Sequence, residues 1–321
     1  MTNIAMIRAA ATRLQGVVRE TPVLTSPFLD EIAGRKVLVK AECLQHTGSF
    51  KFRGGWSAVS ALPDDVRKRG VLAFSSGNHA QGVALAAKLH GCPAVIIMPA
   101  DAPRLKIENT RGFGAEVVLY DRIGGESRED IGAALSTTRG LTLIRPYDNE
   151  QVIAGQGTCG LEIARQVNGP ADVLVNCGGG GLSSGIALAL EADAPDLRVR
   201  PVEPVGFDDV KQSLEQGHRV NNPTLSGSIC DAILTPSPGE ITFPVLQRLV
   251  GPGIAVSDEE CLRALALAWL RLKVVIEPGG AASLAAALFH GDKIEGDQVV
   301  AVATGGNVDQ DVFAQALALL D

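Results

Sequence analysis

Short apolar segments alternate with longer amphipathic segments along most of the chain. Segments rich in β-branched residues predict strands at 36–42, 71–74, 94–98, 116–120, 141–145, 173–177, 198–203 and 299–303. Because nearly every position in these segments is apolar, we expect both faces of each strand to be buried, as in parallel sheets. Eight strands are more than one sheet covered by helices comfortably holds, so the pattern predicts two α/β lobes with a cleft between them.

Helical periodicity fills most of the intervals between these strands. Helices are predicted within residues 78–91, 127–140 and 160–167, and several of the helical segments end at glycine, as helix C-termini often do. Ser257 followed by Glu260 forms a capping box that predicts the start of another helix. Strand–helix alternation of this kind is typical of an open α/β architecture with right-handed crossovers.

The segment 173–190 is uncharged for eighteen residues and must be considered as a membrane span. Four consecutive glycines and two serines in its middle make a poor bilayer helix, so we expect a strand, a tight loop and a helix instead. The N-terminus carries Arg8 and Arg13 and has no apolar core of signal-peptide length. We therefore expect a soluble protein.

The composition of the 321 residues is that of an ordinary globular protein, with 46% hydrophobic and 20% charged residues. A net charge of −7 argues against general nucleic-acid binding, which needs an excess of lysine and arginine. Six dispersed cysteines form no CxxC pair, so neither a zinc cluster nor a dense disulfide framework is expected. That cysteine usage favours a reducing, cytoplasmic location.

Four consecutive glycines, Gly178 to Gly181, stand between a predicted strand and a predicted helix. A glycine loop that opens a helix presents free N–H groups and the positive end of the helix dipole, which suits a phosphate group. A tight turn would need only one or two glycines, so the pattern favours anion binding. A dinucleotide site stays open on this segment alone, because only Ser183 or Ser184 breaks the G-x-G-x-x-G fingerprint and Glu203 ends the next strand.

Two further loops that follow predicted strands carry groups suited to ligand binding. The segment SSGNHAQG at 75–82 combines hydroxyls, an amide and free N–H groups at a helix start, which suits a carboxylate, although ordinary capping by a serine explains it equally well. The segment ATGGN at 303–307 follows another apolar strand. Open α/β sheets bind their ligands at such strand ends.

A lysine with apolar neighbours adds a reactive group to these loops. Lys51 lies between Phe50 and Phe52 in the segment HTGSFKFRGG, and a lysine kept partly neutral by its surroundings attacks aldehydes to form a Schiff base. Pyridoxal phosphate is the cofactor that combines an aldehyde with a phosphate group. The lysine and the three loops together predict a pyridoxal-phosphate site.

The segments GSFKFRGG, SSGNHAQG, GQGTCGLEI, GGGGL and TGGN, in this order, resemble the serine/threonine dehydratase and serine racemase family of pyridoxal-phosphate enzymes. The resemblance extends from about residue 21 to residue 309. It implies fold type II, a tryptophan-synthase-β-like α/β arrangement of two open-sheet lobes with the cofactor in the cleft. It also implies a large cofactor-binding domain (1–62 and 148–321) and a small mobile substrate domain (63–147).

The resemblance further implies how individual residues hold the cofactor. Lys51 matches the Schiff-base lysine, and Phe50 matches the residue that packs against the cofactor ring. Asn78 matches the asparagine that hydrogen-bonds the 3′-oxygen, and Gly178–Gly181 with Leu182 match the phosphate loop. Thr304 matches the residue that faces the pyridine nitrogen, where a neutral partner leaves that nitrogen unprotonated.

Substrate-binding residues are also implied by the resemblance. Ser75, Ser76, Gly77 and His79 match the loop that binds the substrate carboxylate, and Ser76 matches the serine that acts on the cofactor face opposite the lysine in racemases. Arg128 matches a position that reaches toward bound dicarboxylates in the racemases, although a solvated arginine at a helix start also explains it.

The implied reaction is α,β-elimination from L-threonine and/or L-serine, which gives a 2-oxo acid and ammonia. Lys51 removes the α-proton, the β-hydroxyl leaves, and the bound phosphate protonates that leaving group. The alternatives within the family are a 3-hydroxyaspartate dehydratase and a serine racemase with dehydratase side activity. Phe74, which precedes the SSGN segment where racemases can carry a polar residue, favours a dehydratase.

A divalent-metal loop is the last site that the resemblance implies. The segment VEPVGFDD at 202–209 would supply Glu203, the carbonyl of Phe207 and Asp209, and such oxygen ligands suit Mg²⁺ or Ca²⁺. The alternative is an exposed acidic helix start at Asp208 and Asp209.

Assembly and competing functions complete the expectations. A homodimer is a family expectation without an independent interface signal in the sequence. The rivals from other classes are a nicotinamide-dependent oxidoreductase that uses 173–203 as its dinucleotide unit and a non-catalytic small-ligand sensor. Lys51 weighs against the sensor, because binding alone needs no covalent amine.

Overall fold

The structure is a computed structural model that describes residues 1–75, 77–102, 104–121, 124–224 and 226–320. Its strands are β1 (Val23–Leu24), β2 (Lys36–Lys40), β3 (Val71–Phe74), β4 (Ala94–Pro99), β5 (Glu116–Tyr120), β6 (Thr142–Leu143), β7 (Ala171–Asn176), β8 (Leu197–Pro204), β9 (Ile254–Val256) and β10 (Gln298–Val302). Its α-helices are α1 (Ile4–Leu14), α2 (Pro27–Ala33), α3 (Lys51–Ser60), α4 (Asp64–Arg69), α5 (Asn78–Leu89), α6 (Arg104–Gly112), α7 (Arg128–Arg139), α8 (Glu150–Gln166), α9 (Gly181–Asp193), α10 (Asp209–Gln216), α11 (Thr242–Leu249), α12 (Asp258–Leu267), α13 (Pro278–Phe289) and α14 (Gln310–Leu317).

Two open sheets organise the chain. The six-stranded sheet has the strand order β1-β2-β10-β7-β8-β9, and the four-stranded sheet has the order β5-β4-β3-β6. The pairs are parallel except for the antiparallel pair of β1 and β2. Strands β4 and β7 are buried at every position, which explains their continuous apolar sequences. The predicted α/β fold with two open-sheet lobes is confirmed.

The strand boundaries differ from the prediction where the segments are short. Strands β1 and β9 were not predicted, because runs of two and three residues carry no readable periodicity. The strand predicted at 141–145 pairs only over Thr142–Leu143. The capping box predicted at Ser257 and Glu260 is present at the start of α12.

The two sheets occupy different parts of the chain. All four strands of the smaller sheet lie between Val71 and Leu143, whereas the strands of the larger sheet lie before and after that segment. This division is compatible with a small domain at 63–147. The domain boundaries and the mobility of the small domain stay predictions.

Helix α3, which begins at Lys51, is held tightly between α5 and α8. A Cβ added at Gly82 of α5 would lie 2.9 Å from the carbonyl carbon of Lys51, and one added at Gly155 of α8 would lie 2.5 Å from the carbonyl oxygen of Arg53. Glycine at these two positions therefore allows the three helices to approach closely. The backbone that carries Lys51 is fixed from two sides.

The uncharged segment at 173–190 contains most of β7, the glycine loop and most of α9, as predicted. Within the described ranges, every helix is too short or too polar to cross a bilayer. All six cysteines are buried free thiols, which agrees with the expectation that they form no disulfide framework.

Candidate active site

A cavity lies between the carboxyl ends of β7 and β10 and the start of α3. The residues predicted to hold the cofactor all line it: Phe50, Lys51, Asn78, Gly178, Gly179, Gly180, Gly181, Leu182 and Thr304. A larger depression of about 700 Å³ lies at the opposite, amino-terminal edge of the same sheet. Its arginine, Arg198, is already paired with Asp172 at 3.1 Å, so this second depression offers no comparable chemistry.

Lys51 is the first residue of α3, and its ammonium group faces the cavity. Its Nζ donates a hydrogen bond to the carbonyl oxygen of Pro146 at 3.0 Å and lies 5.0 Å from the centre of the Phe50 ring. Burial lowers the pKa of Lys51 to about 8, and the negative charge of Glu277 opposes that effect only in part. A larger fraction of neutral amine is therefore present at neutral pH than on an exposed lysine.

The glycine loop connects β7 to α9 and turns through Gly180, which has a φ of +88°. A Cβ at Gly178 would lie 3.1 Å from Cγ2 of Thr235, and a Cβ at Gly179 would overlap the Tyr147 ring. Side chains are thus excluded from the loop, so no side chain of its own screens the loop's N–H groups. The Thr235 hydroxyl also lines the cavity and has no hydrogen-bond partner among the described residues.

The second loop, between β3 and α5, is held by its own side chains. The Ser75 hydroxyl accepts a hydrogen bond from the N–H of Gly77 at 3.1 Å, and the His79 ring bonds the carbonyl oxygen of Ile144 through Nε2 at 2.9 Å. Burial, assisted by the charge of Lys51, lowers the pKa of His79 to about 3, so this histidine is neutral. Ser76, predicted to act opposite the lysine, lies outside the described residues.

Asn78, at the start of α5, meets two residues that the sequence analysis did not assign to the site. Its Nδ2 donates to Oε1 of Glu277 at 2.6 Å, and its Oδ1 accepts from Nδ2 of Asn307 at 2.6 Å. Glu277 is 5% exposed and lines the cavity. Asn307 lies in the ATGGN segment, so the motif pointed to its region, whereas Glu277 carries no local signal beyond a charge next to the apolar helix α13.

Thr304 follows β10 and is held by an amide from β7. Its Oγ1 accepts a hydrogen bond from Nδ2 of Asn176 at 2.9 Å, and the same Nδ2 donates to the carbonyl oxygen of Gly280 at 2.7 Å. Because Asn176 donates to the threonine oxygen, the Thr304 hydroxyl proton is free to point into the cavity. Asn176 is a further site residue that sequence reasoning missed.

Arg128 lies at the start of α7 and does not line the cavity. Its guanidinium carbon is 6.0 Å from the centre of the Phe74 ring, and its Nε donates to Oε1 of Glu129 at 2.8 Å. Burial raises the pKa of Tyr147, a cavity residue, and the positive charge of Arg128 opposes this increase. Arg128 therefore acts electrostatically on the cavity from outside it.

Glu203 and Asp209, the predicted metal ligands, are both fully buried. The Glu203 carboxylate accepts hydrogen bonds from the N–H groups of Val210 and Lys211 at 3.0 and 2.8 Å, and Oδ1 of Asp209 accepts from Asn222 at 2.6 Å. The alternative of an exposed acidic helix start is thus wrong for Asp209. Among the described residues, no three His, Cys, Asp or Glu side chains converge to form a metal cluster.

The buried carboxylates at 203 and 209 still suit a cation. Burial raises the pKa of Asp209 to about 7, and burial together with the Asp209 charge raises that of Glu203 well above its ordinary range. Oδ2 of Asp209 is buried without a donor among the described residues. Phe207, whose carbonyl is the third predicted ligand, is buried in the turn between them.

The cavity residues fit pyridoxal phosphate. The glycine loop and the unpartnered Thr235 hydroxyl provide donors for a phosphate group, and the buried amine of Lys51 suits an aldehyde. The Tyr147 ring packs against Gly179 and leaves about 50 Å³ of free volume between the lining residues. This ring therefore lies on the approach of a phosphate group to the loop.

Similarity to known proteins agrees with this chemistry. The family described as pyridoxal-phosphate dependent enzyme matches residues 14–305. An L-threo-3-hydroxyaspartate ammonia-lyase from Pseudomonas sp is 46% identical over 96% of this chain and 96% of its own length. A serine racemase from Schizosaccharomyces pombe is 42% identical over 97% of this chain and 96% of its own length.

A solved structure is similar over the same extent. The threonine deaminase of T.th. superposes with a TM-score of 0.89 at 43% identity, covering 96% of this chain and 99% of that chain. The oxidoreductase alternative for 173–203 gains no support, and Glu203, its supposed ribose-binding acid, is bonded to backbone N–H groups instead. This chain belongs to the family of fold-type-II pyridoxal-phosphate dependent enzymes and is an enzyme of the hydroxy-amino-acid ammonia-lyase type.

Proposed function

We propose that this enzyme eliminates water from L-threo-3-hydroxyaspartate and that water then hydrolyses the resulting enamine, through its imine, to a 2-oxo dicarboxylic acid and ammonia. This is the alternative of the sequence analysis rather than its main prediction of L-threonine and/or L-serine. The observations that carry the choice are Arg128, a cation 6.0 Å from the ring of Phe74, which precedes the SSGN segment, and the 46% identity to a hydroxyaspartate ammonia-lyase. A guanidinium group is well suited to bind the extra carboxylate of such a substrate.

Lys51 is the proposed attachment point of the cofactor aldehyde and the base at the substrate α-carbon. When bound, pyridoxal phosphate supplies an electron sink that stabilises negative charge at that carbon. The lowered pKa of Lys51, about 8, places its neutral amine within reach of neutral pH, where it can accept the α-proton. Borohydride reduction followed by peptide mapping should place a pyridoxyl group on Lys51, and a label on any other lysine would contradict this assignment.

The other residues have proposed roles in holding the two ligands. Gly178–Gly181 and Leu182 bind the phosphate, Phe50 packs on the ring, Asn78 binds the ring oxygen, and Thr304 donates its hydroxyl proton toward the ring nitrogen. The N–H groups around Ser75, Ser76, Gly77 and His79 bind the α-carboxylate at the start of α5. A neutral His79 suits this loop, because its hydrogen bond to Ile144 fixes the backbone without adding charge.

The substrate proposal predicts a selective defect in an Arg128→Met variant. Loss of the guanidinium should lower kcat/KM for L-threo-3-hydroxyaspartate by about 10- to 100-fold, because a charged hydrogen bond to the β-carboxylate is lost. The kcat/KM for L-serine should change by less than about threefold. Steady-state kinetics on both substrates and on L-threonine test this.

Arg139→Met is the matched control, since Arg139 is on the same helix and pairs with Glu116 at 2.7 Å away from the cavity. It should leave both substrates unaffected. A wild-type enzyme that prefers L-threonine or L-serine to hydroxyaspartate would contradict the proposal and favour the original prediction.

Serine racemase is the second candidate, supported by the 42% identity to the Schizosaccharomyces pombe enzyme. Phe74 favours elimination over racemisation on the reasoning given above. Chiral chromatography after incubation with L-serine distinguishes the two candidates. D-serine formed faster than the 2-oxo acid would favour the racemase.

We also propose that Glu203, the carbonyl of Phe207 and Asp209 bind Mg²⁺ or Ca²⁺. A cation would relieve the repulsion between two buried carboxylates, and oxygen ligands suit both ions. Removing the ion with a chelator should lower the melting temperature by several degrees, because a ligand present at 100 times its Kd contributes about 2.7 kcal/mol. Asp209→Asn should abolish the response to added Mg²⁺, and an unchanged melting curve with no metal by elemental analysis would contradict the proposal.

The proposed assembly is a homodimer. Large apolar side chains on the surface, among them Phe28 at 54% exposed and Trp269 at 40% exposed, support an interface that the single chain leaves uncovered. Analytical ultracentrifugation tests this directly, and a single sedimenting species with the 33.5 kDa mass of one chain would contradict it.

A further inference from the structure

Glu277 is a buried carboxylate that faces the cavity without a cationic partner. Its side chain is bonded to an amide, that of Asn78, and in the part of the chain that the structure describes no lysine or arginine nitrogen lies within 4 Å of it. Burying a carboxylate without a cation costs free energy that one hydrogen bond offsets only in part. The geometry of its neighbours indicates the role of this carboxylate.

The amide of Asn78 is held from both ends. Asn307 donates one hydrogen from Nδ2 to the carbonyl oxygen of Thr47 at 2.8 Å and the other to Oδ1 of Asn78 at 2.6 Å. Because Asn307 is the donor at this contact, the Asn78 atom that accepts must be its side-chain oxygen and not its nitrogen. The carboxylate of Glu277, which accepts, receives one hydrogen of the Asn78 nitrogen at 2.6 Å. One N–H of Asn78 is left for another acceptor, and Asn78 lines the cavity.

We propose that Glu277 and Asn307 are positioning residues that fix the amide of Asn78, so that its remaining N–H is aimed at the ring oxygen of pyridoxal phosphate. This inference rests on the proposed role of Asn78 in cofactor binding. A freely rotating asparagine would present its oxygen as often as its nitrogen, and the oxygen would repel a ring oxygen that carries negative charge. The two clamps remove that alternative orientation.

The clamp joins parts of the chain that belong to different sheets. Asn78 follows β3 of the four-stranded sheet, whereas Glu277 precedes α13 and Asn307 follows β10, and both lie in the part of the chain that carries the six-stranded sheet. Gly305 is required for the contact, since a Cβ there would overlap Oε1 of Glu277 and would lie 3.1 Å from Nδ2 of Asn78. The backbone supports the arrangement, because the N–H of Glu277 donates to the carbonyl oxygen of Gly305 at 2.9 Å.

The charge and the acceptor of Glu277 can be separated by substitution. Burial raises the pKa of Glu277 to about 7, the hydrogen bond from Asn78 opposes this, and the charged groups around it are Asp231, Lys106 and Lys51. A glutamine at this position keeps an acceptor oxygen for Asn78 and loses the charge. An alanine loses both.

The test measures the dissociation constant of pyridoxal phosphate, followed by the visible absorption of the bound cofactor in the full-length enzyme. Glu277→Ala should weaken binding by about 10- to 100-fold, since the orientation of Asn78 is lost, whereas Glu277→Gln should weaken it by less than about threefold. In an Asn78→Ala background, Glu277→Ala should weaken cofactor binding by less than about twofold more, because the amide that Glu277 orients is already absent. Glu260→Gln, a helix-cap glutamate away from the cavity, is the matched control and should bind the cofactor normally.

Two outcomes would overturn the inference in different ways. An equal loss of affinity from Glu277→Ala with and without Asn78 would mean that the effect does not pass through that amide. Normal affinity in Asn78→Ala itself would mean that the proposed role of Asn78, and the clamp with it, is wrong. Asn307→Ala should reproduce the loss and its dependence on Asn78, so the test stands even where Glu277→Ala does not fold.

Discussion

Glu42 and Glu277 are both buried glutamates near the start of α3, yet one is paired with a cation and the other with a neutral amide. Glu42 accepts hydrogen bonds from Nε and Nη2 of Arg53, both at 2.8 Å, and from the Thr21 hydroxyl at 2.5 Å. Glu277 is bonded to the neutral amide of Asn78. Burial alone would raise the pKa of Glu42, but the charge and hydrogen bonds of Arg53 lower it, whereas burial raises that of Glu277 to about 7.

Glu42 belongs to a structural ion-pair network, whereas Glu277 lines the cavity. Arg53 also binds Glu162 at 2.7 Å, and Lys40 bonds the other oxygen of Glu162 at 2.5 Å, so these four side chains form a closed and neutral network inside the large-sheet lobe. Arg53 is two residues after Lys51 on α3, and the network therefore anchors the helix that presents the reactive amine. Glu277 lines the cavity that Lys51 also lines, and its hydrogen-bond partner is an amide rather than a cation.

The largest expected effect is on catalysis. Lys51→Ala should lower turnover by at least about 10³-fold, because the amine proposed to hold the cofactor and to accept the α-proton is removed. The free energy of unfolding should change by less than about 1 kcal/mol, since the Arg53 network is untouched. Activity assays and urea denaturation of the same preparation check both statements, and normal turnover would contradict the role of Lys51.

The next effect is on stability. Arg53→Met leaves Glu42 and Glu162 buried with one lysine between them, and should lower the free energy of unfolding by about 3–5 kcal/mol. Arg53→Lys keeps the positive charge and should lower the free energy of unfolding by less than Arg53→Met does. Denaturant unfolding measures both, with the exposed Arg139→Met as the control that should change stability little. A loss from Arg53→Met no greater than that of the control would mean that the network does not stabilise the fold.

The smallest effect is a pH dependence of opposite sign for the two glutamates. A carboxyl group whose pKa is raised in the folded state contributes stability below its ordinary pKa, and this contribution is lost as the pH rises. Glu277 should therefore lower the free energy of unfolding of the cofactor-free protein by about 3 kcal/mol between pH 4.5 and about 7. Glu42, whose pKa is lowered, stabilises at neutral pH and loses that contribution as pH falls below 4.5. Unfolding free energies across this pH range compare the wild type with two variants.

Near neutral pH, Glu277→Gln should be more stable than the wild-type apoprotein and Glu42→Gln less stable. The Glu277 difference should shrink as the pH falls from 7 toward 4.5, whereas the Glu42 difference should shrink only as the pH falls below 4.5. Parallel curves for the wild type and Glu277→Gln would mean that Glu277 keeps an ordinary pKa in the folded protein.

Sequence reasoning succeeded where the signal is local. The glycine loop, the strand before it and the helix after it are consecutive residues, so composition alone places Gly178–Gly181 at a helix start. Lys51 between its phenylalanines and the capping box at Ser257 are also local signals. The structure places the lysine in the cavity wall and the cap at the start of α12. The substrate choice was not predictable in the same way, because Arg128, the residue proposed to distinguish the β-substituent, lies outside the cavity.

Contacts between distant residues could not be predicted from local sequence patterns. Glu277 meets Asn78 across 199 positions of the chain, and Arg53 meets Glu162 across 109. No periodicity or motif indicates that two such residues share a buried hydrogen bond, since the bond depends on how the sheets are stacked. The Glu42 network was missed for this reason, and Asp209 could not be recognised as buried until the fold placed Asn222 against it.

Because all six thiols are buried, their reaction with alkylating reagents reports transient exposure of the protein interior. Burial raises the pKa of Cys43 to about 12 and that of Cys159 well above its ordinary range, so both are protonated and shielded from alkylating reagents in the native state. Reagent uptake by the unmodified protein thus measures how often these buried thiols become exposed. A single surface cysteine introduced by mutation would be labelled selectively, which makes fluorescence studies of lobe movement possible without first replacing the native thiols.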